Sequence, residues 1–286
     1  MKKYHTLGEL LLEYREIHNL SQADFAIKLN ADIRTIQRWE KDVTNIKEEK
    51  VADLVATTLL PFQLIRNLNA NDTIPTYYDF HTQKYSLSKL TLEVPDAAWF
   101  KRKMNESTNR IRTIDIDYDF DYLMTYMGIS KNLHKNLYKL IDEASKICPE
   151  LNLIITDDLA YYAGYCIVLP VSDAVYQKIR NRALKMEDIK VEDLVNYKFQ
   201  KKTSFINYNL RADCNENIQY LVGRVLNFFK SSEVKDYVYA RYENRDDADF
   251  ISKQIGLKQV WVDEKKGLHK IPMHFSEGDL NTFLKE

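Results

Sequence analysis

The chain has 286 residues, of which 45% are hydrophobic and 29% charged, a composition that supports sizeable cores and room for two domains. Lys and Arg number 41 against 42 Asp and Glu, so the net charge of −1 excludes capture of nucleic acid by bulk charge. The 3 cysteines have no CxxC spacing, which argues against structural zinc or disulfides and for a reducing, cytoplasmic location. The amphipathic N-terminus is unlike a secretory signal. The longest apolar run, residues 160–171, is about 12 residues and too short to span a bilayer, so no membrane partner is expected.

In chain order, residues 7–18 read as a helix with Leu10, Leu11, Tyr14 and Ile17 on one face. Ser21 is a good N-cap for a second helix over 22–29, with Phe25, Ala26 and Leu29 inward. Asn30 falls where the chain has to turn, a position that favours residues tolerant of the left-handed region. Asp32 caps a third helix with Ile36 and Trp39 inward and Ile33, Arg34, Gln37 and Arg38 outward. Glu40 is expected to hold the turn or pair with Arg15 or another cation. Residues 47–60 form a fourth helix, burying Val51, Leu54 and Val55, and Pro61 opens a fifth with Phe62, Ile65 and Leu68 inward. Residues 1–70 therefore read as an all-α domain of five helices. They hold ten basic and ten acidic residues, so any DNA affinity comes from placement, with Arg34, Arg38 and Lys41 on one side.

Residues 71–112 read as an ordered linker, because Tyr77, Tyr78, Phe80 and Tyr85 are too aromatic for disorder and KLTLEV (89–94) alternates like a strand. Lys101, Arg102, Lys103, Arg110 and Arg112 form either a phosphate-contacting flank or a solvated face. From residue 113 a mixed order begins. IDIDYDF (114–120) alternates as an edge strand, 130–147 is a helix carrying Leu133, Leu137, Leu140 and Ala144, and strands 152–156 and 160–169 join through Asp157-Asp158. Ser172 starts a helix, 203–210 is a strand, 217–229 a helix, 237–242 a strand and 246–255 a helix. Strands 259–262 and 270–275 close as a hairpin over Gly267. This alternation predicts a central sheet flanked by helices over 113–286, and an α+β, multi-domain chain overall.

The front spacing resembles the lambda-repressor-like, or xenobiotic-response-element, helix-turn-helix family. The matching residues are Leu20-Ser21-Gln22, Phe25-Ala26, Leu29-Asn30, Ile36 and Arg38-Trp39-Glu40, over about residues 5–68. Asn30 stands where that family more often has Gly. The resemblance implies a double-stranded DNA partner, paired half-sites and hence a homodimer. The candidate DNA-binding set is Gln22, Asp32, Ile33, Arg34, Thr35, Gln37, Arg38 and Lys41. Gln22 would orient on a phosphate or base edge and Arg34 and Arg38 would reach guanines or phosphates. Thr35 or Gln37 would add base contacts, and Ile33 would meet a thymine methyl.

The later order resembles the GNAT acyltransferase fold over 113–276. It does so through the strand 165–170 running into Val171-Ser172-Asp173, the strand–helix of 203–229, and Ala248 with Ile255-Gly256-Leu257. Such a fold implies acyl-CoA, whose pyrophosphate would sit on a Gly-rich turn at a helix N-terminus. Here that stretch, 211–218, has no Gly and carries Asp213 and Glu216, leaving Arg211, Asn215 and Asn217 as a degenerate turn. The family's thiolate-protonating Tyr is replaced by Ser252, and Asp157, Asp158 and Tyr208 remain as bases for an amine. No cofactor is therefore expected, acetyl-CoA being the alternative. The readings are a DNA-binding regulator whose GNAT-like domain senses a small molecule or assembles, an acyl-CoA N-acyltransferase with a DNA-binding front, and a protein-binding relic of the helix pair. His269 and His274 fall on opposite strand faces, against a metal site, and Cys214 is a buried thiol or one activated at a helix N-terminus.

Overall fold

A computed structural model describes residues 1–89, 97–127, 134–231, 234, 236–244, 248–263 and 272–285. The chain divides into two compact units. One is Met1–Glu93 with Ala212–Asn215, and the other is Val94–Arg211 with Glu216–Glu286. The strand expected over 89–94, Leu133, the Gly267 turn and His269 lie outside the described residues.

The front unit starts with strand β1 (Lys2–Tyr4), followed by helices α1 (Leu7–Ile17), α2 (Gln22–Lys28), α3 (Ile33–Glu40), α4 (Glu48–Thr58) and α5 (Phe62–Leu68). Side-chain caps start the first three, Thr6 for α1, Ser21 for α2 and Asp32 for α3. The Ser21 hydroxyl accepts from the Asp24 amide (3.1 Å) while the Asp24 carboxylate accepts from the Ser21 amide (3.0 Å), a reciprocal box that closes the start of α2. Asp32 Oδ1 accepts from the Arg34 amide (2.7 Å) and starts α3. Asn30 takes the turn between them at φ 45°. Leu10, Leu11, Phe25, Ile36, Leu54 and Leu64 are fully buried, so the five inward stripes share one core. Ile17, expected inward, is 49% exposed in the last turn of α1.

The all-α expectation for the front is corrected. After α5 the chain forms β2 (Thr76–Asp79) and β3 (Lys84–Ser86), and β2 returns to pair antiparallel with β1. The physical reason is aromatic burial. Tyr78 meets Phe80 edge-on at 4.8 Å, and Phe80 reaches Tyr14 on α1 at 6.4 Å, so the aromatics after Pro75 extend the same core.

The second unit is mixed α/β, with a central sheet and helices, as the alternation predicts. Its elements are α6 (Ala97–Lys103), β4 (Ile111–Thr113), α7 (Ile116–Met127), α8 (His134–Ile147), β5 (Leu153–Thr156), β6 (Tyr162–Val171), α9 (Asp173–Arg180), β7 (Thr203–Ala212), α10 (Asn215–Ser231), β8 (Tyr237–Glu243), α11 (Ala248–Gln254), β9 (Lys258–Asp263), β10 (Met273–Gly278) and α12 (Asn281–Lys285). The sheet order is β4-β5-β6-β7-β8-β10-β9. The pairs β4–β5, β5–β6, β8–β10 and β10–β9 are antiparallel, while β7–β8 is parallel.

IDIDYDF is not a strand. β4 ends at Thr113 and the stretch opens α7, whose buried residues Ile116, Asp119, Tyr122, Leu123, Tyr126 and Met127 follow helical spacing. The period-two pattern is a coincidence of the first seven residues, and the longer window carries the helix signal. Asn152 ties three elements together. Its amide nitrogen lies 3.1, 2.9 and 3.0 Å from the carbonyls of Ala144, Cys148 and Val168, and its oxygen accepts from the Val168 amide at 3.1 Å.

Candidate functional site

In the front unit, α3 combines a buried back with an exposed face that carries Arg34 and Arg38. Ile36 (0% exposed) and Trp39 (7%) anchor it. Glu40, at its end, accepts from Arg15 Nε (2.7 Å) and from Gln22 Nε2 (2.7 Å), so the expected pairing with Arg15 is present. Its hydrogen bond holds the Arg15 guanidinium above its ordinary pKa. Gln37 Nε2 donates to Gln22 Oε1 (3.2 Å), so one chain of side chains, Arg15–Glu40–Gln22–Gln37, fixes the start of α2 to α3. Sequence reasoning misses the Gln22–Gln37 contact. The 15-residue separation gives no periodic signal, and only the closeness of the two helices creates it.

Of the remaining candidates, Asp32, Arg34, Arg38 and Lys41 are exposed, Thr35 is half-buried, and Ile33 is 40% exposed. Among the described residues, the side chains of Arg34, Arg38 and Lys41 form no ion pair or hydrogen bond. Side chains that cost conformational entropy to hold in place are thus left unengaged on the outward face.

In the second unit the parallel pairing of β7 and β8 runs from Thr203↔Tyr237 to Asn207↔Arg241. Beyond that register β7 runs on to Ala212, with β6 as its other neighbour in the sheet, while β8 pairs with β10. The crevice beyond the carboxyl ends of parallel strands is a common ligand position in open sheets. Side chains near the end of the pairing bond one another. Asn207 Nδ2 donates to Tyr239 Oη (2.9 Å), Tyr165 Oη donates to Asn209 Oδ1 (3.2 Å), and Arg241 donates to Glu243 (2.7 Å).

The residues around it do not suit an acyl-CoA. Only Asp213 and Cys214 separate β7 from α10, too short a turn for a glycine-rich cradle. Asp213 is buried, and its carbonyl accepts from the Tyr85 amide at 2.7 Å within the front unit. Arg211 and Asn215 are half-buried and Asn217 is buried, while the Glu216 carboxylate lies 3.7 Å from Arg110. Ser252 is buried on α11, Cys214 is half-buried, and His274 approaches Gln259 at 3.1 Å. Asp157 Oδ1 accepts from the amides of Leu159 and Tyr161, both 2.9 Å, so it caps the hairpin turn, and burial raises its pKa. Asp158 is 93% exposed. Burial pushes the Tyr208 hydroxyl up to about 12, which keeps its proton in place at neutral pH.

Two members of the basic run prove to be structural. Arg112 binds Asp119 with two bonds (2.6 and 2.5 Å), and this fully buried carboxylate also accepts from Tyr162 Oη (2.9 Å) and the Asp115 amide (2.9 Å). Arg110 donates to Thr108 Oγ1 (3.3 Å) and the Thr156 carbonyl (3.2 Å). Neither is a phosphate-contacting flank. Among the described residues no group of His, Cys, Asp and Glu could hold a metal, and no helix is long and apolar enough to cross a membrane.

No family profile and no curated protein matches the chain. Among solved structures it is similar to Ard1 from Thermoplasma volcanium, at 11% identity and TM-score 0.34, over 59% of this chain and 95% of that one. It is similar to a point mutant of the spermidine N-acetyltransferase SpeG from Vibrio cholerae at 9% identity and TM-score 0.33, over 61% and 96%. FeeM, an N-acyl amino acid synthase from uncultured soil microbes, matches at 10% identity and TM-score 0.30, over 54% and 95%. Identities and TM-scores at this level transfer no activity.

Proposed function

We propose that the chain is a sequence-specific, cytoplasmic DNA-binding regulator, with a lambda-repressor-like helix-turn-helix in front and a GNAT-like body that senses a small molecule or assembles. The supporting observation is α3 itself. It is braced from behind by Ile36, Trp39 and the Arg15–Glu40–Gln22–Gln37 chain, and its outward cations have no other engagement among the described residues. In this reading α3 enters the major groove. Arg34, Arg38 and Lys41 meet phosphates or guanine edges, Ile33 meets a thymine methyl, and Gln37, oriented by Gln22, reads a base edge beside Thr35. Gln22 and the Asp32-capped helix start lie along the backbone. Two copies on paired half-sites supply the affinity that a neutral domain lacks.

The test is a gel shift on the gene's own upstream DNA. Arg34→Ala with Arg38→Ala abolishes the shift and flattens the log–log salt dependence by about two. An unchanged shift overturns the reading.

One observation favours a second reading, an acyl-CoA-dependent N-acyltransferase: the parting of parallel β7 and β8 after Asn207. The tight, acidic, glycine-free turn at 213–214 does not fit the pyrophosphate, so no step is routed through the cofactor. Thermal unfolding with acetyl-CoA separates the two. A ligand that binds only the folded chain raises the midpoint, and the regulator reading expects no rise.

A further inference from the structure

The second unit carries one surface that neither reading uses. Phe199 is 83% exposed, more than any other large apolar side chain described. Single exposed apolar residues are ordinary. This one differs in how firmly it is held. It ends the short 3-10 turn Tyr197–Phe199, whose Asn196 carboxamide accepts from the Lys198 amide (3.1 Å), while the Asn196 carbonyl accepts from the Phe199 amide (3.1 Å). The preceding Tyr197 is buried, with its ring 5.7 Å from Phe205 and 5.6 Å from Phe228. The core thus pins the turn, and the turn projects Phe199 outward.

Cations flank it. Lys198 and Lys201 are exposed, and Lys202 is paired with Asp173 at 3.1 Å. Among the described residues, Lys201 has no ion pair, and Lys198 lies 5.7 Å from the Tyr197 ring. Two acids lie near the turn: Asp173, on Lys202, and Glu150, which adds to the upward push that burial gives the Tyr197 hydroxyl.

We infer that this turn is a second DNA contact belonging to the body, with Phe199 as an apolar wedge against a base step and Lys198 and Lys201 on the flanking phosphates. Phe is among the side chains that insert between base steps in the minor groove, and lysines beside it supply the sequence-independent attraction. A lipid surface fits less well. Stable anchoring needs more than one apolar group or chain, and the immediate neighbours Asn196 and Gln200 are polar. The chemistry recognised is that of the DNA backbone and stacked bases, so the contact does not depend on an operator sequence.

The experiment uses the full chain and a fluorescent duplex of unrelated sequence, followed by anisotropy across a salt series. Phe199→Ala is expected to weaken binding about tenfold at low salt. Lys198→Gln with Lys201→Gln should lower the log–log salt slope by roughly two. Both changes are at the surface, so thermal unfolding should be unmoved and loss of folding is checked directly. Each is repeated in the Arg34→Ala, Arg38→Ala background. If binding to the unrelated duplex survives there and falls further with Phe199→Ala, the body contact is established whatever becomes of the front helices. If both body variants match the wild type while the arginine pair still matters, this inference is overturned and the front reading stands. Absence of any duplex binding by the wild type overturns both. The same variants are sedimented with phosphatidylserine vesicles, and a Phe199→Ala loss seen there and not on the duplex overturns the choice of DNA.

Discussion

The outward face of α3 and the interior of the second unit handle polar side chains in opposite ways. In the front unit, α3 turns Arg34 and Arg38 to the outside and engages neither. In the second unit, three inward polar side chains are paired, Asp119 by Arg112, Tyr162 and an amide, Asn207 by Tyr239, and Asn152 by three carbonyls and an amide, while among the described residues the buried hydroxyls of Ser204, Ser252 and Ser276 make no hydrogen bond. A buried polar group is costly unless paired, so its partners restrict what else can bind there. An exposed cation without a partner costs little and remains ready for an anion. The difference teaches where to look for recognition. The outward face of α3 keeps its cations available to a partner, while side chains near the end of the β7–β8 pairing bond one another.

The largest expected effect is on the paired side. Asn152→Ala strands the Val168 amide and several carbonyls, and should cost about 3 kcal/mol. Hydrogen exchange, which reads each unit separately, should show that loss in β5, β6 and α8, with protection of the front unit unchanged. Loss of protection in both units would break the contrast.

Next comes a contact inside the front unit. Gly8 donates to Asp42 Oδ1 (2.9 Å), and an added Cβ there would lie 2.7 Å from both the Glu40 carbonyl and the Asp42 carboxylate. Gly8→Ala should therefore cost about 2 kcal/mol through overpacking. It should also loosen the end of α3, weakening the gel shift without touching the second unit's exchange. An unaltered shift would show that α3 does not need this brace.

The smallest effect sharpens the rule about burial. Burial raises the Asp157 pKa, so the native state binds its proton more readily than the unfolded chain does. Stability is then lost as pH rises from the unfolded carboxylate value of about 4 through the raised native one. Asp157→Asn keeps the oxygen that accepts from Leu159 and Tyr161 but removes the charge. Melting curves should show the variant matching the wild type in acid and gaining slightly, by under about 0.5 kcal/mol, above that range. A variant less stable at neutral pH would mean that the carboxylate contributes more than a turn cap.

Legibility differs by the range of the physics. The caps Ser21, Asp32 and Ser172 are readable because a cap acts within three residues, and all three accept from the amides expected of them. Inward faces such as Ile36 and Trp39, or Leu140 and Ala144, follow from spacing alone. The outward arginines of the candidate interface are legible for the same reason. The front sheet is not, because β1 and β2 meet across more than seventy residues and neither strand is long enough to show a pattern. IDIDYDF misleads because its short alternation precedes a helix that only the next turn reveals. The Arg112–Asp119 pair is hidden by the basic run around it, which reads as surface until the buried carboxylate is seen.

By itself, then, the sequence determined the helices, most strands, their inward faces and the residues that α3 presents, because each depends on neighbours a few positions away. Only the tertiary structure decided which polar groups are already satisfied, that the turn before α10 is tight and buried at Asp213, and that Gln22 and Gln37 share a bond. Those depend on groups far apart in the chain meeting at hydrogen-bond distance, and no periodicity records where separate elements meet.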